Sequence, residues 1–228
     1  MKETIKSIPV VGEIARALYR RIPKQLKRER AFPGSAAYWE ERYRTGGTSG
    51  AGSYAFLAEF KAEVLNAFVA EHGVRSVIEF GCGDGNQLRL AKYPSYLGFD
   101  VSASAVARCR RLFAGDLSKS FRTVAEYAGE RAELALSLDV IFHLVEDAVF
   151  DEYMRRLFAA AERYAIVYSS NTSSNLDVEN EHVKHREFTR WVVEHAPDFR
   201  LVRRVPNRYP YAGDHHAGSF ADFFVFER

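Results

Sequence analysis

Apolar positions in the first third of the chain recur every three or four residues, which is the spacing of an amphipathic helix. This pattern predicts helices over residues 36–44 and 54–72, and Gly73 is typical of the residue that ends a helix. Between the two helices lies TGGTSGAGS (45–53), a loop that contains four glycines.

From residue 75 onward, short apolar runs alternate with helical patterns. Strands are predicted at 75–80, 96–101, 121–125, 134–140, 165–169, 201–205 and 220–226. Helices are predicted from near Gln87, from a cap at Ser102 or Ser104 through Phe113, and over 147–164 and 187–196. This alternation predicts an α/β fold with a doubly wound, mostly parallel, seven-stranded sheet. The last two strands have no helix between them, which predicts a hairpin and an antiparallel C-terminal strand.

The first 30 residues differ in charge from the remainder of the chain. They carry nine basic and three acidic residues, and because the formal net charge of the chain is +2, the remainder is mildly acidic. We therefore predict a basic amphipathic extension (1–30, with a helix over 13–21), a helical lid (31–72) and a main domain (73–228). The acidic body disfavours a nucleic-acid surface. The extension suits an anionic membrane surface, a second subunit, or simple packing against the domain.

Composition places the chain among ordinary globular proteins, with 47% hydrophobic residues but no apolar run of the ~20 residues that a membrane span requires. Pro9 and Gly12 interrupt the N-terminal apolar positions, which disfavours a signal peptide. Cys82 and Cys109 show no metal-ligand spacing and form no disulfide framework. We expect a cytoplasmic protein, with peripheral attachment to the inner membrane surface if the extension binds lipid.

The strand at 77–80 runs directly into GCGDGN (81–86). A dinucleotide fingerprint requires glycine at the sixth position, where this chain has Asn86, so a dehydrogenase is disfavoured. Glu79 precedes the loop and would repel a phosphate but attract an ammonium group. Asp100, at the end of the next strand, can accept hydrogen bonds from both hydroxyls of a ribose. The pattern indicates a nucleoside ligand with a cationic amino-acid end.

EFGCGDG (79–85), the acidic Asp100 and SLDVIFHL (137–144) resemble the first, second and fourth motifs of class I S-adenosylmethionine-dependent methyltransferases. The predicted terminal strand pair is similar to the antiparallel strand of that Rossmann-like fold. The resemblance implies a methyltransferase with S-adenosylmethionine as cofactor. The cofactor-binding residues that it implies are Glu79, Gly81, Cys82, Gly83, Asp84, Asp100, Val101 and Leu138. The adenine contact stays open between Glu126 and Asp116.

Two candidate general bases lie at the end of the fourth predicted strand and just beyond it. An alcohol must lose a proton on methylation, whereas a neutral amine needs no base before attack. His143 is the first candidate, because an unperturbed imidazole titrates near neutral pH. Alternatively, His143 has no catalytic role and packs at or caps the start of the next helix. Asp139 is the second candidate, and its alternative role is binding backbone amides.

Acceptor-binding residues are predicted in the lid and in two polar segments near the C-terminus. They are Tyr43, His182, His185, Arg186, Tyr209, Tyr211 and His215. Aromatic side chains with polar tips suit the binding of a sugar or phenol ring. The simpler interpretation is that these residues belong to solvent-exposed loops and bind no acceptor. Asp177, Glu179 and Glu181 lie close to the histidines in sequence, but without defined ligand spacing. We therefore predict no metal site.

WEERY (39–43), GTSGAGS (47–53) and HVKHR (182–186) resemble small methyltransferases that accompany polysaccharide and lipopolysaccharide glycosyltransferases. This narrower resemblance implies O-methylation of a saccharide or glycan hydroxyl. Two alternatives stay open: an N-methyltransferase acting on an amine, and a non-catalytic subunit with a methyltransferase fold. The acidic body disfavours RNA as the acceptor.

Overall fold

The apolar runs form one seven-stranded sheet in a computed structural model, which describes residues 32–175 and 180–228. The strands are β1 (Val77–Phe80), β2 (Tyr96–Asp100), β3 (Lys119–Thr123), β4 (Ala132–Leu138), β5 (Ala161–Ser169), β6 (Arg200–Val205) and β7 (Asp222–Glu227). Their order is β3-β2-β1-β4-β5-β7-β6. Strands β1 to β5 are parallel, whereas β7 is antiparallel to both of its neighbours. The predicted sheet, with its antiparallel C-terminal strand, is confirmed.

Helices cover both faces of the sheet. They are α1 (Ser35–Arg44), α2 (Ala55–Glu71), α3 (Ala103–Leu112), α4 (Asp147–Ala160) and α5 (Phe188–His195). One buried cluster includes Phe60 and Phe68 of α2, and the other includes Phe158 of α4 and Phe188 of α5. Ser102 caps α3, because its side chain accepts a hydrogen bond from the N–H of Ala105.

The connection between β1 and β2 differs from the prediction. A helix was expected from near Gln87, but the chain forms only a short 3-10 turn over Gln87–Leu90, so that prediction is wrong. Pro94 closes the connection and disfavours helix in the residue before it. Helix α2 runs beside this connection, and Asn66 binds it by donating to the carbonyl of Leu90 and accepting from the N–H of Lys92.

Helix α2 is therefore largely a core element, although the sequence pattern grouped it with α1 as a lid. Its buried side chains include Leu57, Phe60, Leu65 and Phe68. Residues 33–228 form one compact unit that contains α1, α2 and the sheet. The predicted extension and its helix over 13–21 lie outside the described residues.

Element boundaries otherwise differ from the predictions by a few residues. The largest shift is at the boundary between α4 and β5: α4 ends at Ala160 instead of 164, and β5 begins at Ala161 instead of 165, because Ala161 already pairs with Ala132 of β4. Within the described ranges, no helix is long and apolar enough to cross a membrane.

Candidate active site

A cavity of about 410 Å³ opens beyond the carboxyl ends of β1, β2 and β4. The sheet order reverses between β1 and β4, and ligands of doubly wound folds bind at such a reversal. The cavity is lined by eleven of the predicted site residues: Tyr43, Glu79, Gly81, Cys82, Gly83, Asp84, Asp100, Val101, Leu138, Asp139 and His143. The chain thus brings all eight predicted cofactor residues and both candidate bases to one place.

Two glycines of the loop after β1 have positive φ and no room for a side chain. Gly81 has φ 92°, and a Cβ atom there would collide with the side chain of Val140. Gly83 has φ 56°, and a Cβ atom there would collide with Ser49 and lie 3.0 Å from the Tyr43 hydroxyl oxygen. The loop at 45–53 can therefore approach the loop after β1 closely only because Gly83 has no side chain.

Asp100 is buried at the end of β2 and is fixed by two backbone hydrogen bonds. Its Oδ2 accepts from the N–H of Gly83 at 2.8 Å and its Oδ1 from the N–H of Ser102 at 2.9 Å. Burial raises the pKa of Asp100 to about 6, although these two hydrogen bonds act to lower it. A carboxylate has about four acceptor positions, so both oxygens can still accept from a ligand in the cavity.

Glu79 is buried in the middle of the sheet and faces the same cavity. The Tyr96 hydroxyl donates to its Oε2 at 2.6 Å. Burial raises the pKa of Glu79 to about 7, while the Tyr96 hydrogen bond and the positive charge of Lys61 act to lower it. An ammonium group arriving at this carboxylate would replace the solvation that burial has removed.

Asp84 binds the glycine-rich loop at 45–53 to the loop after β1. Its Oδ2 accepts from the N–H of Ser49 at 3.0 Å and from the Tyr54 hydroxyl at 2.7 Å, while the N–H of Asp84 donates to Ser49 Oγ at 3.0 Å. Burial acts to raise the pKa of Asp84, but these hydrogen bonds outweigh it and hold the pKa below its usual value. Although Asp84 lines the cavity, its carboxylate is mainly occupied with the loop.

Helix α1 crosses the cavity between the segments that follow β4 and β2. At its first residue, Ser35 Oγ donates to Glu146 Oε2 at 2.6 Å, and the Ser35 N–H donates to Oε1 of the same side chain. Farther along α1, Glu40 accepts hydrogen bonds at 2.6 Å from the hydroxyls of Ser102 and Ser104 at the start of α3. These contacts place Trp39, between them, on the cavity wall.

His143 lies on the cavity wall beneath α1. Its Nδ1 is 3.0 Å from the carbonyl oxygen of His182, which can only accept, so the neutral ring carries its proton on Nδ1 and leaves Nε2 as a proton acceptor. Its ring stacks on that of His182 at 5.3 Å and meets the edge of Trp39 at 4.9 Å. Burial lowers the pKa of His143 to about 3, so the expectation of a near-neutral pKa is wrong.

Asp139, the second candidate base, is held in an ion pair that the sequence analysis missed. Its Oδ2 lies 2.6 Å from Nζ of Lys61, which is fully buried on α2. Asp139 has φ 58°, a left-handed conformation that asparagine and aspartate adopt more readily than most residues. The sequence did carry a signal for the buried lysine, because Lys61 lies on the apolar face of α2, four residues after Leu57 and four before Leu65, but not for its partner.

Neither predicted adenine contact lines the cavity. Glu126 accepts from the N–H and the hydroxyl of Thr123 in a capping box, and Asp116 pairs with Lys119. The residues that line the cavity after β2, after β3 and along α4 are instead Val101, Val124, Ala148, Val149, Glu152, Tyr153 and Arg156.

Of the predicted acceptor residues after β5, only His182 contacts the candidate base. Its ring stacks on Tyr38 as well as on His143. Nδ1 of His185 lies 2.6 Å from Ser170 Oγ. Arg186 donates to Asp147 and to backbone carbonyls just before α4, so its guanidinium holds the start of that helix.

Tyr43 lines the cavity, whereas the predicted acceptor residues between β6 and β7 lie outside it. Tyr209 packs on Phe56 of α2, with ring centroids 4.7 Å apart, and Tyr211 stacks on His215 at 4.6 Å at the surface. Asp177 and Glu179 lie outside the described residues. In the parts of the chain that the structure does describe, no cluster of three or more His, Cys, Asp or Glu side chains is arranged to hold a metal ion.

Comparison with known proteins identifies the fold. No family model and no curated protein sequence matches the chain. Among solved structures, it is similar to magnesium protoporphyrin IX methyltransferase (ChlM) from Synechocystis with bound S-adenosylhomocysteine, with a TM-score of 0.61, 16% identity, and coverage of 85% of this chain and 97% of that chain.

Two further solved structures are similar. The N-methyltransferase NodS from Bradyrhizobium japonicum has a TM-score of 0.62 and 13% identity, and covers 85% of this chain and 98% of its own. An O-methyltransferase family protein from Burkholderia thailandensis has a TM-score of 0.54 and 11% identity, with coverage of 85% and 59%. The chain therefore has the Rossmann-like fold of S-adenosylmethionine-dependent methyltransferases.

Proposed function

We propose that the protein is an S-adenosylmethionine-dependent methyltransferase that methylates a hydroxyl of a small polar acceptor, a saccharide or glycan. The observation that carries the proposal is the meeting of Glu79, the glycine loop, Asp100 and His143 in one cavity. A scaffold would not need an ammonium partner, a ribose partner and a candidate base to converge.

The cavity residues fit the cofactor chemically. Gln87 lines the cavity, and its Nε2 donates to the carbonyl of Ala58. Its Oε1 is buried and has no hydrogen-bond partner among the described residues. An ammonium group of the cofactor would satisfy this oxygen together with Glu79. Asp100 would accept from the ribose hydroxyls, and Val101 and Val124 offer apolar surface to the adenine ring. When bound, S-adenosylmethionine supplies an electrophilic methyl group on a sulfonium.

The chain's own residues would align the acceptor, exclude water and remove a proton. Helix α1 lines the cavity, and the Trp39 ring packs against His143, which would help to keep water from the base. His143 Nε2 would accept the hydroxyl proton, while the carbonyl of His182 holds the ring in the required tautomer. Trp39 lines the cavity and offers apolar ring surface to the C–H groups of a sugar.

N-methylation is the second candidate, and the low pKa of His143 favours it. A base with a pKa of about 3 is weak, and an amine acceptor does not need one. The similar structures carry the names of porphyrin, N- and O-methyltransferases, so the acceptor cannot be taken from the fold. The pH profile separates the two candidates: with an amine, turnover would follow the pKa of the acceptor itself.

Location at the inner membrane surface is part of the proposal, because lipid-linked glycans are assembled there and residues 1–30 are basic. Flotation with anionic vesicles should retain the full chain and lose a chain of residues 31–228. Equal behaviour of both chains would contradict the membrane role and leave the methyltransferase proposal untouched.

The first experiment is calorimetric titration with S-adenosylhomocysteine, with NADH as the control ligand. We expect wild type to bind S-adenosylhomocysteine and not NADH. Absence of binding would contradict the proposed function and favour a non-catalytic subunit. Labelled S-adenosylmethionine, incubated with glycan and amine fractions, then identifies the acceptor class.

A further inference from the structure

A buried lysine that belongs to none of the three motifs lies on the wall of the cavity. Lys61 of α2 is 0% exposed and lines the cavity together with Glu79. Burying an ammonium group is unfavourable unless it is paired, and Asp139 provides a partner at 2.6 Å. Stability alone does not account for this pair, because apolar side chains of similar volume serve a buried site as well or better.

The ammonium group of Lys61 has hydrogen-bonding capacity beyond this ion pair. It carries three N–H donors, and among the described residues Asp139 is its one hydrogen-bond acceptor. The face of the Tyr168 ring, 5.2 Å from Nζ, accounts for another side of the group. A donor is thus left for an anionic ligand group in the cavity.

Lys61 lies on the same wall of the cavity as Glu79 and Gln87, the two residues that could bind an ammonium group. Its positive charge is close enough to Glu79 to lower the pKa of that carboxyl against the effect of burial. Gln87, with its unpartnered Oε1, is bound to the carbonyl of Ala58, which is one helical turn before Lys61 on α2. A carboxylate, an amide oxygen and a cation therefore converge.

This combination matches the two charged groups that an α-amino acid carries on a single carbon. Arg156 also lines the cavity, but it is paired with Glu152 at 2.7 Å on α4, beside Tyr153. Lys61 is paired on the wall that holds Glu79, and its charge acts on that carboxyl. Lys61 is therefore the better placed of the two cations to bind a carboxylate next to the ammonium group of the ligand.

Building on the proposed function, we propose that Lys61 binds the α-carboxylate of the cofactor, while Glu79 and Gln87 Oε1 bind its ammonium group. Asp139 holds Lys61 in position for this contact. The site thereby selects a cofactor whose amino-acid end is intact over one that has lost its carboxylate.

The test compares S-adenosylhomocysteine with its decarboxylated analogue, 5′-(3-aminopropylthio)-5′-deoxyadenosine, by calorimetry. Wild type should bind S-adenosylhomocysteine about 30-fold more tightly, since a charge-assisted hydrogen bond in a dry site is lost with the carboxylate. Lys61→Met should weaken S-adenosylhomocysteine binding about 30-fold and change binding of the analogue less than threefold. The matched control is Lys119→Met, which removes a mostly buried lysine paired with Asp116 outside the cavity.

Equal weakening of both ligands in Lys61→Met would show a structural role and overturn the proposal. The double variant Lys61→Met/Asp139→Asn removes the whole ion pair, so its ligand selectivity is measured without an unpaired buried carboxylate. If neither variant folds, wild type still decides, because affinities within threefold for the two ligands would overturn the proposal. Failure of wild type to bind S-adenosylhomocysteine would instead contradict the proposed function itself.

Discussion

The two sides of the cavity are built in different ways. On the side of the strand ends, Glu79, the glycine loop and Asp100 lie within 22 residues of one another, and neighbouring strands fix them through backbone hydrogen bonds. On the opposite side, α1 and His143 come from distant parts of the chain and meet through side chains such as Ser35 and Glu146. Binding on the first side therefore depends on local backbone geometry, and reactivity on the second depends on packing between remote segments.

The largest effect is expected on the second side. His143→Ala should lower turnover of a hydroxyl acceptor about 100-fold or more, while binding of S-adenosylhomocysteine changes less than threefold, because a base contributes to proton transfer and little to cofactor binding. Single-turnover kinetics and calorimetry measure the two quantities. His195→Ala, which alters an exposed histidine on α5, is the control. Unchanged turnover in His143→Ala would remove it from the role of base.

On the strand-end side, Asp100→Ala should weaken S-adenosylhomocysteine binding about 100-fold, since hydrogen bonds to a charged acceptor are lost. Asp100 also accepts from Gly83 and Ser102, so thermal melting must accompany the titration. Asp116→Ala removes an acid after α3 that does not line the cavity, and it should bind as wild type does. A matching loss in Asp116→Ala would place the adenine contact there after all.

Affinity for S-adenosylhomocysteine should rise with pH through pH 7 and level off near pH 8. The pKa of Glu79 is about 7 in the free protein, and the bound ammonium favours the carboxylate, so binding below pH 7 must release a proton. We expect affinity about tenfold lower at pH 6 than at pH 8, with proton release visible as a buffer-dependent enthalpy. Glu79→Gln should bind weakly at both pH values and lose most of this dependence. A wild-type affinity independent of pH would contradict the assignment of Glu79.

The smallest effect is expected where α1 meets α3. Glu40→Ala removes the hydrogen bonds to Ser102 and Ser104 and should increase the dissociation rate of S-adenosylhomocysteine about fivefold, since these bonds hold α1 in place on the cavity wall. Stopped-flow displacement measures this rate. Glu41→Ala removes the neighbouring exposed acid, which pairs with Arg44 on the same helix, and should leave the rate unchanged.

This difference between the two sides also explains what could be predicted from the sequence. The strand-end side is encoded by short contiguous motifs, so all of its predicted residues line the cavity. The Lys61–Asp139 pair joins residues 78 positions apart, and no local pattern specifies such a partner. Burial, which sets the pKa of His143, is likewise a property of the assembled fold. Arg186 and Tyr209 were predicted from composition, which does not distinguish a binding residue from one that packs.

Helix α2 precedes the sheet in the chain and packs beside the connection between β1 and β2, where no α-helix forms. This arrangement has a consequence for folding. Helix α2 is synthesised before every strand that it covers, and Phe60 contacts Phe223 of β7, almost at the end of the chain. The part of its apolar face around Phe60 therefore stays uncovered until β7 has been made, and contacts between such distant residues slow folding. We expect refolding to be slow, with this part of α2 exposed in early intermediates, and a chaperone to be of most use to this protein while its last strands are still being synthesised.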